Sequence, residues 1–214
     1  MFKVGIVGCG GIGRAHANAW SAIEGVRVAA VADLNAERAQ SVADLCGAKA
    51  LTDLADLPED LDAVSVVTPP SAHYPVVKAL LERGFHVFCE KPLTMNVREG
   101  RELERLAKEK GKQLGVGFKM RFEPIFRKAK ELVPEIGDLV SIVTTKQQMY
   151  HPRPESTWVK DVGAMYELSV HDFDLITFLT GRVPGKVLFS RLDHHFGWEK
   201  EDGFAAVVDY GNGV

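Results

Sequence analysis

The sequence predicts an α/β protein in which a doubly wound parallel sheet comes first and a smaller α+β region with an open, mainly antiparallel sheet follows. Three observations carry this prediction. Short β-branched runs alternate with amphipathic stretches through the first half of the chain. The runs VGIVG and AVSVV are almost continuously apolar, as strands covered on both faces require. Near Met120 the alternation stops.

Taken in order, the predicted strands of the first region are Lys3 to Val7, Val26 to Ala32, Ala63 to Val67, His86 to Cys89 and Leu114 to Gly117. Between them run the predicted helices Ile12 to Ile23, Ala36 to Leu45, Ala72 to Arg83 and Val97 to Lys110. Gly84 and Gly111 stand where helix C-caps are expected. These elements define a first domain over residues 1–119. The second, residues 120–214, has a helix over Pro124 to Leu132 and a strand over Leu139 to Tyr150. The segment HPRPES follows, then a helix from Ala164 to Thr180 closed by Gly181. Two further strands cover Val187 to Leu192 and Phe204 to Tyr210. Gly211-Asn212-Gly213 is hairpin-turn chemistry with only Val214 after it, which predicts a chain that stops short of its last strands.

Composition narrows the function classes. The 214 residues are 46% hydrophobic and 26% charged, values of an ordinary globular protein. Lys and Arg (26) are outnumbered by Asp and Glu (29) and scattered, so no nucleic-acid partner is expected. No apolar run reaches the ~18 residues of a membrane span, and MFKVGIVGCGGIG is no signal peptide because its apolar run passes straight into glycines. Cys9, Cys46 and Cys89 form no disulfide framework; reduced thiols point to the cytoplasm.

The strongest local signal is Gly8-Cys9-Gly10-Gly11-Ile12-Gly13, set between a strand and a helix. Gly8 permits a tight turn, Gly10 lets the backbone approach a pyrophosphate, and Gly13 allows close packing of helix on strand. The helix start, with Gly11 and Ile12, offers free N–H groups to phosphate. Asp33 closes VRVAAVAD about 20 positions on, where an acid holds the ribose hydroxyls of a dinucleotide. A carboxylate there repels a 2′-phosphate, and Leu34 and Asn35 bring no cation, so NAD is favoured over NADP. Arg38 lies one helical turn on, placed either to stack on adenine or to remain solvated. Thr68 and Pro69 end the run Ala63 to Val67 on the carboxyl edge of the sheet, where such folds bind ligands, and His73 just beyond is a candidate cofactor contact.

Glu90-Lys91-Pro92 ends the strand His86 to Cys89 on that same edge. Pro92 restricts Lys91 to extended conformations, which fixes the direction of its side chain toward the nicotinamide end of a dinucleotide. A positioned ammonium stabilises alkoxide character while an alcohol is oxidised. A surface Glu–Lys pair would contribute little and would not account for the proline.

These residues sit in ordered motifs: GCGGIG, VADLNAERA, VVTPPSAHYPVVKALLERGFHVFCEKPL, GVGFKMRFEPIFRKAKEL and ELSVHDFDLITFLTG. In them the chain resembles, over essentially its whole length, the glucose–fructose oxidoreductase, inositol dehydrogenase and rhizopine-catabolism (Gfo/Idh/MocA) family. The resemblance implies a Rossmann-type first domain that binds NAD or NADP, with Glu90 and Lys91 among the residues at the cofactor. It implies a second sheet that helps build the substrate site and the oligomer interface of a homodimer or homotetramer. Lys91 matches the lysine that contacts substrate and nicotinamide ribose, His171 the general acid/base, and Arg121 a position lining a polyol site. Glu167 stands where the family commonly has aspartate. On a continuous helix Glu167 and His171, four apart, share a face. Asp172 reads as solvated and Asp174 as a loop or helix-terminus partner.

The implied activity is hydride transfer between a polyhydroxylated small molecule (a sugar, cyclitol or derivative) and a nicotinamide dinucleotide. Two rival readings are an NAD-retaining glycosidase that oxidises its sugar transiently, and a dinucleotide or sugar sensor without turnover; Lys91 together with His171 favours an enzyme. No metal is expected. His151, His171, His194 and His195 fit no H-E-x-x-H or paired C-x-x-C pattern, and adjacent His194 and His195, in a strand or at a strand end, would point to opposite faces.

Overall fold

The computed structural model describes residues 1–147 and 158–211, and the chain divides into two units, Met1–Gly117 and Phe118–Val214. The first unit contains β1 (Phe2–Val7), α1 (Gly11–Ser21), β2 (Val26–Ala32), α2 (Ala36–Cys46), β3 (Lys49–Leu51), β4 (Ala63–Val66), α3 (Pro70–Glu82), β5 (His86–Cys89), α4 (Val97–Glu109) and β6 (Leu114–Val116). All pairings are parallel, in the order β3-β2-β1-β4-β5-β6. The sheet is therefore Rossmann-like, and its strand order reverses between β1 and β4, where folds of this kind open a crevice for ligands.

The pattern of side chains explains why helices cover both faces. Alternate residues of a strand point to opposite sides. Val64, Val66 and Val87 pack with Val77, Leu80 and Leu81 of α3 and Leu103 of α4, while Ile6, Val28 and Val31 pack with Ala17, Ala39 and Val42 of α1 and α2. Local signals set the helix starts. Asn35 accepts the Arg38 N–H at the head of α2, and Asn96 accepts the Arg98 N–H at the head of α4. β3, Lys49-Ala50-Leu51, escapes a reading of the sequence because it carries no β-branched residue.

The second unit contains α5 (Pro124–Leu132), α6 (Trp158–Val162), a π-helical turn over Met165–Ser169, α7 (Val170–Thr180), β7 (Lys186–Asp193) and β8 (Gly203–Asp209). β7 and β8 form an antiparallel pair. Three expectations are corrected here. Residues 139–147 are irregular rather than a strand, because β-prone residues become a strand only where a partner supplies the ladder, and none of the described strands does so. Residues 148–150 of that expected strand, the segment HPRPES with His151, and the turn residues Asn212 and Gly213 lie outside the described residues. The helix expected from Ala164 is not continuous, since its first turn is π. His194 and His195 fall in the turn after β7, not in the strand, and His194 Nδ1 lies 3.1 Å from the Trp198 carbonyl.

The π turn has a visible support. Glu201 is buried, its carboxylate accepts the Met165 N–H at 2.9 Å, and its carbonyl accepts the Ala164 N–H at 2.9 Å. A Cβ on Gly163, where φ is +86°, would lie 2.5 Å from that carboxylate. Among the described residues no helix is long and apolar enough to cross a membrane.

Candidate functional site

At the carboxyl edge of the first unit's sheet the glycine turn is closed on one side and open on the other. A Cβ at Gly13 would lie 2.2 Å from the Gly8 carbonyl oxygen, and one at Gly8 (φ +103°) 2.6 Å from the Val67 carbonyl oxygen, so the turn presses against the end of β4. Around Gly10 and Gly11 an added Cβ meets nothing within 4 Å, and Ile12 is exposed at the helix start. The Asp33 carboxylate at the end of β2 accepts the Cys9 N–H at 2.7 Å and the Asn35 N–H at 2.8 Å. It thereby ties the glycine turn to the head of α2. Leu34 beside it is 95% exposed, and Arg38 is exposed in the first turn of α2. Cys9 below the turn is buried, and burial with the Asp33 charge pushes its thiol up to about 12, which keeps it protonated and unreactive.

Thr68 and Pro69 lead into α3, and Thr68 Oγ1 is buried without a hydrogen-bond partner among the described residues. His73 departs from expectation. It is 1% exposed, with Nδ1 2.7 Å from the Pro92 carbonyl oxygen and Nε2 2.9 Å from that of Thr68. Burial is the main cause that lowers its pKa, and both ring nitrogens face backbone, so the ring has no nitrogen left for a cofactor.

Glu90 is likewise bonded within the protein. Its carboxylate lies 3.0 Å from His16 Nε2 and accepts the Lys91 N–H at 3.1 Å. Burial alone would raise this carboxyl. The hydrogen bond from His16, the Lys91 N–H and the Lys91 charge together hold it below the usual carboxylate range. Lys91 itself is half-buried just past β5, and its peptide bond to Pro92 is cis. His16 and Ser65 are additions that the sequence analysis missed: His16 Nδ1 lies 2.8 Å from Ser65 Oγ on β4. A signal was available, because His16 is three residues after Gly13 and one before Ala17, both on the buried face of α1.

In the second unit, His171 is half-buried in the first turn of α7, with the Phe118 ring edge-on at 6.3 Å. Glu167 lies in the π turn before it. A π turn holds more residues than an α turn, so their expected alignment four apart does not follow α-helical geometry. Arg121 is gripped by Asp174: its Nε donates to both carboxylate oxygens, at 2.8 and 2.7 Å, and its guanidinium lies 5.8 Å from the Phe178 ring centre. The Asp174 side chain is only 5% exposed, and its hydrogen bond raises the Arg121 pKa. Asp174 thus serves an arginine rather than a loop. Asp172, expected to be solvated, lies 3.3 Å from Lys146, which also donates to the Leu168 carbonyl at 3.2 Å. Lys146 had no signal in sequence, since nothing local announces an ion pair across 26 positions.

The donor set of the first unit fits a dinucleotide. Open backbone at Gly10 and Gly11 suits a pyrophosphate, the Asp33 carboxylate suits hydroxyl donors, and Thr68 Oγ1 is a polar group in need of a partner.

Comparison with known proteins agrees with this reading of the fold. Residues 2–118 match a family model described as an oxidoreductase family with an NAD-binding Rossmann fold, and residues 126–214 match the GFO/IDH/MocA C-terminal domain. The chain is 30% identical over 189 residues to an inositol 2-dehydrogenase of Rhizobium meliloti, covering 86% of this chain and 57% of that protein. It is 32% identical over 182 residues to a UDP-N-acetylglucosamine 3-dehydrogenase of Acidithiobacillus ferrooxidans, covering 85% and 55%. Among solved structures, an NAD-binding protein from Listeria innocua superposes with a TM-score of 0.84 at 28% identity, over 99% of this chain and 64% of that one. The chain spans about half the length of the curated relatives it matches.

Proposed function

The chain belongs to the Gfo/Idh/MocA oxidoreductase family, and on that premise we propose that it serves hydride transfer between a secondary alcohol of a sugar, cyclitol or derivative and NAD. The observation that carries this reading is the grouping at one sheet edge of the open glycine turn, Asp33 bound to that turn, and Lys91 held beside Glu90.

Gly8, Gly10, Gly11, Ile12 and Gly13 receive the pyrophosphate, and Asp33 the ribose diol, with Arg38 beside the adenine and Thr68 and Pro69 along the crevice. Asp33 is followed by Leu34 and Asn35 rather than by a cation, which supports NAD over NADP. NAD, when bound, supplies the hydride acceptor. Lys91 steadies the negative charge that develops on the substrate oxygen, and His171 accepts the hydroxyl proton, a task suited to the side chain that titrates nearest neutrality. Glu167 orients His171 or the substrate, and Arg121 borders the polyol. A homodimer or homotetramer is the assembly this reading expects.

The test is made on the whole protein with a panel of sugars and cyclitols, following nicotinamide absorbance. Lys91→Ala and His171→Ala should each lower turnover by roughly 10²–10⁴ and leave NAD affinity within a few-fold. Normal turnover of Lys91→Ala on the preferred substrate, or a wild-type preference for NADP, would overturn the reading.

A further inference from the structure

Lys91 has a histidine-bound residue on each side of it in sequence. Before it, the Glu90 carboxylate meets His16 Nε2 at 3.0 Å and takes the Lys91 N–H at 3.1 Å. After it, the Pro92 carbonyl meets His73 Nδ1 at 2.7 Å. The two rings come from different helices, α1 and α3, whose heads form the glycine turn and the Thr68-Pro69 loop.

The chemistry of each ring fixes what it does. An ionised carboxylate only accepts, so His16 Nε2 carries a proton and donates it to Glu90. Its other nitrogen, Nδ1, shares a hydrogen bond with the Ser65 hydroxyl, which can donate or accept, at 2.8 Å. Ser65, His16 and Glu90 thus form a chain with the elements of a hydrolytic triad, but Ser65 is 0% exposed and its hydroxyl faces no substrate. The chain is a brace. Gly117 completes it: a Cβ there would lie 3.0 Å from the Glu90 carboxylate, so glycine leaves the room in which that side chain sits. His73 lies between two carbonyl oxygens, and a neutral imidazole has one N–H to give. The shorter contact is the one to Pro92, where the tether proposed below has the N–H.

We propose that His16 and His73 are positioning residues for Lys91, His16 acting through the Glu90 carboxylate and His73 through the Pro92 carbonyl. A lysine side chain is a flexible four-carbon stem, so the placing of its backbone decides what its ammonium can reach. Tethers on both neighbouring residues restrict the backbone from which it projects, and small misplacements of a reacting group cost large factors in rate. The inference rests on the reading of Lys91 given above.

Asparagine and glutamine separate the tethers, because the asparagine amide reaches about where histidine Nδ1 sits and the glutamine amide where Nε2 sits. His16→Gln keeps a donor for Glu90, and His16→Asn does not. At position 73 the order reverses: His73→Asn keeps the donor for Pro92, and His73→Gln keeps only the Thr68 contact. In the whole protein, His16→Gln and His73→Asn should retain kcat within about threefold, while His16→Asn and His73→Gln should lose about 10- to 100-fold. NAD affinity, measured by titration calorimetry, should stay within about threefold in the two His16 variants, since the side-chain bonds of His16 reach neither the glycine turn, Asp33 nor Thr68.

A merely structural role predicts instead that both replacements at a position fall together, in step with the melting temperature. That result, or full kcat in His16→Asn and His73→Gln while Lys91→Ala is inactive, overturns the inference and leaves the reading of Lys91 intact. Normal turnover in Lys91→Ala removes the reading of the site itself. If one position tolerates neither replacement, the pair at the other decides. Amide hydrogen exchange of the wild type adds a check that needs no variant: the Lys91 N–H should exchange slowly, and exchange at the rate of an exposed amide overturns the brace.

Discussion

β4 and β7 are both strands that carry runs of apolar residues, yet they are buried to opposite degrees. In β4 (AVSV) Val64, Ser65 and Val66 are all buried, whereas in β7 (KVLFSRLD) every residue but the last is exposed, Val187, Leu188 and Phe189 among them. The difference lies in connection, not composition. A parallel strand is reached only through a crossover, and the crossover helices cover both faces of the sheet. An antiparallel pair such as β7 and β8 needs only a short turn and brings no cover with it. Apolar sequence therefore announces a strand without announcing what it packs on.

The strongest way to break this comparison is to remove the same side chain from each region. Leu80→Ala, on the buried face of α3, should cost about 2–5 kcal/mol in denaturant unfolding, and Leu188→Ala on β7 within about 0.5 kcal/mol. Equal losses would mean that β7 is covered in solution. A second contrast concerns ion pairs. Arg121→Met strands the Asp174 carboxylate, and its unfolding should be easier by about 1–3 kcal/mol, an effect that Asp174→Leu in the same chain largely reverses. Lys78→Met in the first unit breaks a pair with Glu102 whose side chains are both more than a third exposed, and should cost at most about 1 kcal/mol.

The smallest expected effect is on pH dependence. Glu90 titrates below the usual carboxylate value of 4.5 in the folded protein, so its contribution is complete above that pH and is lost as pH falls through the folded value. The stability difference between wild type and Glu90→Gln should therefore shrink on acidification below pH 4.5. A difference that is constant with pH would show that Glu90 titrates alike folded and unfolded. His73, lowered from 6.5 mainly by burial, has the same sign and loses its contribution as pH falls from 6.5 through its folded value.

The first unit was readable because its signals are local and repeat. Apolar strands, helices followed by Gly84 and Gly111, and the glycine turn each declare themselves within a few positions. β3 has no β-branched residue to announce it, and the run over 139–147 has strand composition without a described partner. At the site, what sequence could place was the sheet edge on which Asp33, Thr68 and Lys91 stand. What it could not place was the pairing across long separations. His16 finds Glu90 74 positions away, and Arg121 finds Asp174 53 positions away, distances over which no pattern in the chain carries information. The π turn before His171 was hidden for a related reason: Glu201 supports it from beyond β7, so its cause is not in the residues that form it.

Asp33 carries a consequence for anyone who would redesign the chain's choice of nucleotide. Its two oxygens accept from two different backbone donors, Oδ2 from Cys9 and Oδ1 from Asn35. Asparagine at that position would present an amide N–H to one of those donors, and serine is too short to reach both. On the role proposed above for Asp33, exchanging the carboxylate to welcome a phosphorylated ribose would also loosen the glycine turn, because the same side chain holds the Cys9 N–H. An altered preference would need a compensating acceptor for the Cys9 N–H introduced in the same step, a requirement that makes single-residue conversion at this position a losing route.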